Sequence, residues 1–255
     1  GGANHLIMHS HNNQAGNQIL HKLSNAFLKI PCERFACSQE AGEWLFGPNQ
    51  DFKVINNAID CDKFRFRPEV RNRTRQELKL GDKFVIGHVG RFENQKNHLR
   101  MLKIFESVLR KYTNSVLVLV GIGSLQDQCR QFARDLGISD QVLFLGARAD
   151  VPELMQAFDL FWLPSLYEGF PFVLVEAQAS GLICVASTNV PAECNITGNV
   201  NFVDLVKTDS EWAYSVLKYR NVMPNRSEYA EKMKEQGYDI NLNASELCSY
   251  YESLK

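Results

Sequence analysis

No apolar run in this sequence approaches the roughly 20 residues needed to cross a bilayer as a helix, and its opening, GGANHLIMHSHNN, has neither the basic flank nor the apolar core of a signal peptide. Any membrane contact is expected to be peripheral. Neither sign of charge dominates: 28 Lys and Arg face 29 Asp and Glu, for a net charge of -1. No overall field draws the chain to a polyanion, and no nucleic-acid partner is expected. The seven cysteines, Cys32, Cys37, Cys61, Cys129, Cys184, Cys194 and Cys248, are odd in number and contain no C-x-x-C pair. That pattern argues against a disulfide framework and for a reducing, cytoplasmic setting. The N-x-S/T matches at Asn72, Asn195, Asn225 and Asn243 carry no weight without a secretory signal.

What is present is an ordinary globular composition, 45% hydrophobic and 22% charged, which excludes disordered and fibrous classes. At 255 residues the length suits one full domain and part of another. Residues 1–62 show a strand–helix alternation, with HLIMHSH, ERFACS and FKVINNAI as strands and NQILHKLSNAFLKI and QEAGEWLF as helices. Three strands are few for an independent α/β sheet. The stretch is therefore expected to be the end of a shortened N-terminal domain, with Gly1-Gly2-Ala3 as a cloning remnant. The segment from Lys63 to Lys79, KFRFRPEVRNRTRQELK, holds seven Lys/Arg and two Glu. It reads as an interdomain linker running into a solvated helix, in preference to an RNA or lipid-headgroup patch.

Residues 63–236 are more regular. Strands FVIGHVG, SVLVLVG, QVLFLG, DLFWLPS, LICVAS and NVNFVDL alternate with helices near 97–112, 125–136, 151–157 and 171–180. Short apolar strands alternating with helices predict an α/β fold with a Rossmann-like, doubly wound parallel sheet. From Glu211 the chain reads as helical, and residues 237–255 end in NASELCSYYESL, with Asn243 or Ser245 near the helix cap.

Ligands of such sheets sit outside the carboxyl ends of the strands. The residues that follow the strands are Arg91 and Lys96, Gly121 and Gly123, Arg148, Glu168 and Gly169, and Thr188 and Asn189. Two cations, a Gly-x-Gly, a carboxylate and a helix amino terminus describe a site for a phosphorylated ligand. In PSLYEGFPFVLVEAQASG, Pro171 suits a first helical turn and Gly181 its stop. The amides of Phe172 and Val173 would then point at an anion. Glu176 lies among apolar residues, and Gln178 is about 200° away around the axis, so the two make no single wet stripe. A carboxylate buried in this way needs donors, and a ribose diol offers two.

Glu168 and Glu176 form an E-x7-E that resembles the signature of retaining, nucleotide-sugar-dependent glycosyltransferases of family 4, which have the two-domain GT-B fold. The resemblance extends through GHVGRFENQKN, VLVGIGS and VLFLGARADVPELMQAFDLFWLPS, and upstream to VINNAID and MHSHN. It implies that Arg91 and Lys96 grip the donor diphosphate, that Glu176 accepts from ribose hydroxyls and that Glu168 holds hydroxyls of the transferred sugar. Gly169, Phe170, Phe172 and Val173 would lie along the distal phosphate or sugar, with Gly121 and Gly123 also at the donor. The turn at Arg148-Ala149 would read the base, and His11 would reach the sugar from the N-terminal domain. Residues 63–236 become the donor domain, and residues 237–255 a helix crossing back toward residues 1–62. The implied reaction is retaining, metal-independent hexosyl transfer from a UDP-sugar to a polysaccharide or lipid-linked acceptor, as in capsular or exopolysaccharide assembly at the inner face of the membrane. Arg91→Ala or Lys96→Ala should then cut turnover far more than it disturbs folding.

Other patterns are weaker. Asp60-Cys61-Asp62 is a D-x-D metal motif lying in a linker, and His9-x-His11 supplies only two ligands. Gly121-Ile-Gly123 does not complete a dinucleotide fingerprint. A non-catalytic nucleotide-sugar-binding module is the second reading, and an unrelated nucleotide hydrolase or epimerase the third.

Overall fold

The computed structural model describes residues 5–10, 31–222 and 224–254. His11 and the whole of the expected helix NQILHKLSNAFLKI lie outside the described residues. Contacts divide the chain into two compact units, one of residues up to Asp60 with those from Gly237 onward, and one of Cys61–Gln236.

In the first unit, β1 (Ile7–Ser10), β2 (Glu33–Ala36) and β3 (Lys53–Val54) form a parallel sheet in that order, with helix α1 (Gln39–Phe46) between β2 and β3. The C-terminal helix, Ile240–Ser253, belongs to this unit through the bridge between Ile59 and Asp239. Its cap is Asp239, upstream of the expected Asn243 or Ser245. The Asp239 carboxylate accepts the free amides of Asn241 and Leu242 at 3.1 and 3.2 Å. Asn243 instead donates to the carbonyls of Asn56 and Gly237, both at 3.1 Å.

The second unit begins with the short helix α2 (Cys61–Phe64) and with α3 (Pro68–Glu77). Then follow β4 (Phe84–Val89), α4 (His98–Lys111), β5 (Ser115–Val120), α5 (Gln126–Asp135) and β6 (Val142–Gly146). The chain continues with α6 (Val151–Ala157), β7 (Leu160–Leu163), α7 (Phe172–Ala179), β8 (Ile183–Ser187), β9 (Val200–Val203), α8 (Asp209–Leu217) and α9 (Tyr229–Glu235). The six strands pair in parallel in the order β6-β5-β4-β7-β8-β9. Such a sheet must be covered on both faces, and every residue of β5, β7 and β8 is buried. Helix α4 turns Met101, Leu102, Phe105 and Val108 into a core shared with Trp162 and Trp212. The expected doubly wound sheet is present.

The basic segment departs from its expected solvated helix. Val70 and Thr74 of α3 are buried, and Arg71 and Arg75 turn inward. Arg71 donates to the carbonyls of Gln156, Ala157 and Phe158 at 3.1, 3.3 and 2.8 Å, and both arginines pair with Asp159. Arg226, 7% exposed, donates to the carbonyls of Met155, Gln156, Phe158 and Ser180. The last carbonyls of a helix have no intrahelical partner and carry negative partial charge, so these cations close the carboxyl end of α6. Asp159 also accepts the Val85 amide at 2.7 Å, tying α3 to the entry of the two central strands.

Candidate active site

The strand order reverses between β4 and β7, which places the topological switch point between their carboxyl ends. Two loops flank it, one from Gly90 to Asn97 and one from Pro164 to Pro171. The first is anchored to the loop after β5: Gly90 N–H donates to Val120 O at 2.9 Å, Phe92 N–H to Ile122 O at 3.0 Å, and Leu125 N–H to Phe92 O at 2.9 Å. That approach explains Gly121 and Gly123. A Cβ on Gly121, whose φ is +135°, would lie 2.1 Å from Gly90 O, and one on Gly123 would lie 2.6 Å from Phe92 N. The two glycines let one loop backbone press against the other and do not line the cavity beside it.

That cavity has a volume of about 470 Å³. Arg91 and Lys96 enter it from the first loop, Glu168 and Phe170 from the second, and Phe172, Val173 and Glu176 from α7. Pro171 is the N-cap of α7, one position earlier than expected. Its fixed backbone starts the helix, leaving the amides of Phe172 and Val173 without intrahelical acceptors.

Lys96 Nζ donates to Glu168 Oε1 at 2.6 Å, with side-chain exposures of 15% and 6%. Glu168 Oε2 accepts from Gln95 Nε2 at 3.1 Å. Glu176 is half-buried, and burial pushes its carboxyl above the ordinary range, partly offset by the charge of Lys63. Gln178 faces elsewhere, donating to Leu174 O and Cys194 O at 3.1 and 2.7 Å. The two polar residues of α7 thus do different work: Gln178 ties down the β8–β9 connection, while Glu176 opens into the cavity.

Beneath the first loop lie two buried histidines. His88 Nδ1 contacts Trp162 O at 2.8 Å, and the His98 ring stacks on Phe92 at 4.1 Å and meets His88 edge-on at 4.8 Å. His88 Nε2 and both ring nitrogens of His98 have no hydrogen-bond partner. Burial first, and then the Lys96 charge, holds the His98 imidazole down at about 4, and burial keeps His88 well below its ordinary value.

Of the sequence candidates, Arg91, Lys96, Glu168, Phe170, Phe172, Val173 and Glu176 come together, whereas Gly121, Gly123, Arg148, Ala149 and Gly169 lie outside the cavity lining. Arg148 pairs with Asp150, its Nε donating at 2.7 Å. The D-x-D reading leads nowhere new, because Asp62 is held below the usual carboxylate range by hydrogen bonds from Lys234 and then Arg65. Gln95 and Asn97 escaped the sequence reading, since a polar loop residue beside a basic one carries no distinguishing signal. The cavity's ionisable side chains, two cations and two carboxylates, sum to zero formal charge. An anionic ligand is favoured here by Arg91, the ammonium of Lys96 and the helix amides, with the carboxylates left for hydroxyl groups.

The chain is 34% identical over 223 residues to EpsF of Bacillus subtilis (strain 168), provisionally named a glycosyltransferase, covering 85% of this chain and 58% of that one. It is 36% identical over 161 residues to the UDP-Gal:alpha-D-GlcNAc-diphosphoundecaprenol alpha-1,3-galactosyltransferase of Escherichia coli, covering 61% of this chain and 39% of that one. The chain therefore spans roughly half the length of these curated relatives. Among solved structures, Anabaena Alr3699/HepE in complex with UDP superposes with a TM-score of 0.81 at 23% identity, over 98% of this chain and 72% of that one. This likeness shows that the fold is that of GT-B glycosyltransferases. The pattern of the glycosyl transferases group 1 matches residues 70–240, with the switch-point cavity and both of its loops inside the match, and the chain belongs to that family.

Proposed function

We propose that the chain carries the donor site of a retaining, family 4 glycosyltransferase that takes a UDP-sugar and passes the sugar to a saccharide or lipid-linked saccharide. One observation carries this reading: Arg91, Lys96, Glu168, Glu176 and the amino end of α7 surround a single cavity of about 470 Å³ at the switch point. UDP is suggested by relatives, since HepE was solved with UDP and with UDP-glucose and the Escherichia coli relative is named for UDP-Gal. The latter's diphosphoundecaprenol acceptor supports a lipid-linked saccharide and a cytoplasmic enzyme working at the inner membrane face.

Departure of the diphosphate leaves an oxocarbenium-like sugar and a growing negative charge. Arg91, Lys96 and the α7 amides are placed for that charge, and they stabilise the transition state more than the ground state. One such contact contributes about 3 kcal/mol. Because protein cations take this role, donor binding is expected to survive chelation of divalent metals. Glu176 would accept from the ribose diol and Glu168 from sugar hydroxyls.

Calorimetry with UDP, GDP and UDP-sugars tests the donor site. UDP should bind with and without EDTA, and Arg91→Ala should weaken it by roughly tenfold or more. A chain that binds no nucleotide refutes the reading. Transfer assays on this chain and on the full-length protein then separate an enzyme from a module that binds donor without transferring it.

A further inference from the structure

Gln95 occupies the 3₁₀ turn Asn94–Lys96 and reaches across the switch point with both its backbone and its side chain. Its carbonyl accepts the Leu166 amide at 2.8 Å. Its Nε2 donates to Tyr167 O at 3.0 Å and to Glu168 Oε2 at 3.1 Å. Two residues on, Asn97, at a φ of 61°, donates to Pro164 O at 3.1 Å. From the other side, Asn189 donates to Leu166 O at 2.7 Å. The Pro164–Glu168 loop, which has no regular structure of its own, is thus tied in place by side-chain amides.

The consequence falls on Glu168. An ionised carboxylate has about four lone-pair directions. Here one oxygen is engaged by the Lys96 ammonium and the other by the Gln95 amide. Two donors from one turn fix the plane of the carboxylate, and one lone pair on each oxygen remains for hydroxyls that enter the cavity. A single donor would leave the group free to pivot about the Lys96 contact. The neutrality of Gln95 also matters. A second cation there would compete with sugar hydroxyls for the charge of Glu168, a carboxylate would repel it, and Asn would be one methylene short.

We infer that Gln95, itself part of the cavity lining, is a positioning residue of the sugar subsite, aiming Glu168 at the hydroxyls of the donor sugar. The inference rests on the proposed reading of the cavity as a nucleotide-sugar site. It predicts that loss of the amide separates affinity for the sugar from affinity for the nucleotide.

The test is calorimetry on the chain as it stands with UDP, UDP-glucose and UDP-galactose, comparing wild type with Gln95→Ala and Gln95→Met. Methionine keeps the length and bulk of glutamine and removes the donor, so agreement between the two variants excludes a packing effect. Both variants should bind UDP within about twofold of wild type and bind the preferred UDP-sugar roughly tenfold more weakly. Equal weakening of UDP and UDP-sugar, or no change in either, overturns the positioning role. Wild type that binds UDP and neither UDP-sugar overturns the sugar subsite while leaving the nucleotide site standing. Wild type that binds none of the three overturns the reading of the cavity itself.

Discussion

His98 is 1% exposed, both of its ring nitrogens lack partners, and its imidazole is held at about 4. In the unfolded chain the same ring titrates near 6.5. Between these values the unfolded state binds the proton and the folded state does not. The stability tied to a neutral His98 is therefore fully present above pH ~6.5 and is lost as the pH falls through that value toward about 4, below which the folded protein protonates too. Converted at 1.36 kcal/mol per unit, the whole window is worth about 3 kcal/mol, of which about 2 kcal/mol is gone by pH 5. His98→Phe keeps an aromatic ring against Phe92 and removes two unsatisfied nitrogens. The variant should equal or exceed wild type at pH 7.5 by up to about 1 kcal/mol, and its advantage should widen by about 2 kcal/mol at pH 5. Urea unfolding at both pH values reads this directly, because Trp162 and Trp212 are buried in the same core. Parallel pH curves for the two proteins would refute the reasoning, since they would mean that the folded state accommodates the charged ring.

Three further outcomes follow from the cavity and its loops. Burial raises the Glu176 carboxyl, so its ionised form costs stability above the folded titration point and costs nothing well below the ordinary carboxylate value. Glu176→Gln should therefore raise the melting temperature at pH 7.5, lose that advantage toward pH 4, and weaken UDP binding by roughly tenfold; an unchanged UDP affinity would remove Glu176 from the ribose. Glu168→Gln frees Lys96 from its ion pair, so UDP should bind more tightly by roughly threefold while the UDP-sugar binds more weakly. Loss of UDP affinity in that variant would show that Lys96 needs its partner to stay in position. Gly121→Ala forces a Cβ to within 2.1 Å of Gly90 O at a φ of +135°, and should cost at least about 3 kcal/mol in chemical denaturation. A near-native midpoint would show that the two loops separate readily.

The pairing of Lys96 with Glu168 also refines one expectation. Arg91→Ala removes an exposed side chain and is a clean probe of binding. Lys96→Ala strips a carboxylate of 6% exposure of its ammonium partner, and so perturbs folding as well.

Much of the fold was legible because its causes are local. Short apolar runs rich in β-branched residues at β4, β5 and β8 read as strands buried on both faces, and the 3.6-residue spacing of Met101, Leu102, Phe105 and Val108 reads as a helix with one face inward. Glu176 stood out for a similar reason, since a carboxylate set among apolar residues is costly unless something pairs with it, whereas Glu168 was marked by its place after a strand and by the family resemblance. The arginines of α3 were misread because the sequence of a helix does not say which helix terminus it will meet. Arg71 finds its acceptors at Gln156, Ala157 and Phe158, more than eighty residues away.

The same limit separates the two kinds of knowledge throughout. Composition, periodicity and the spacing of charged and glycine residues settle the class of sheet, the order of its elements and the residues with chemistry to offer. They are properties of neighbours along the chain. Which of those residues act together depends on β7 pairing with β4 instead of β6, a choice made by long-range packing that no local pattern encodes. That pairing brings the Gly90–Asn97 loop against the Pro164–Pro171 loop, joins Lys96 to Glu168, gives Gln95 its task, and turns two remote segments into one cavity.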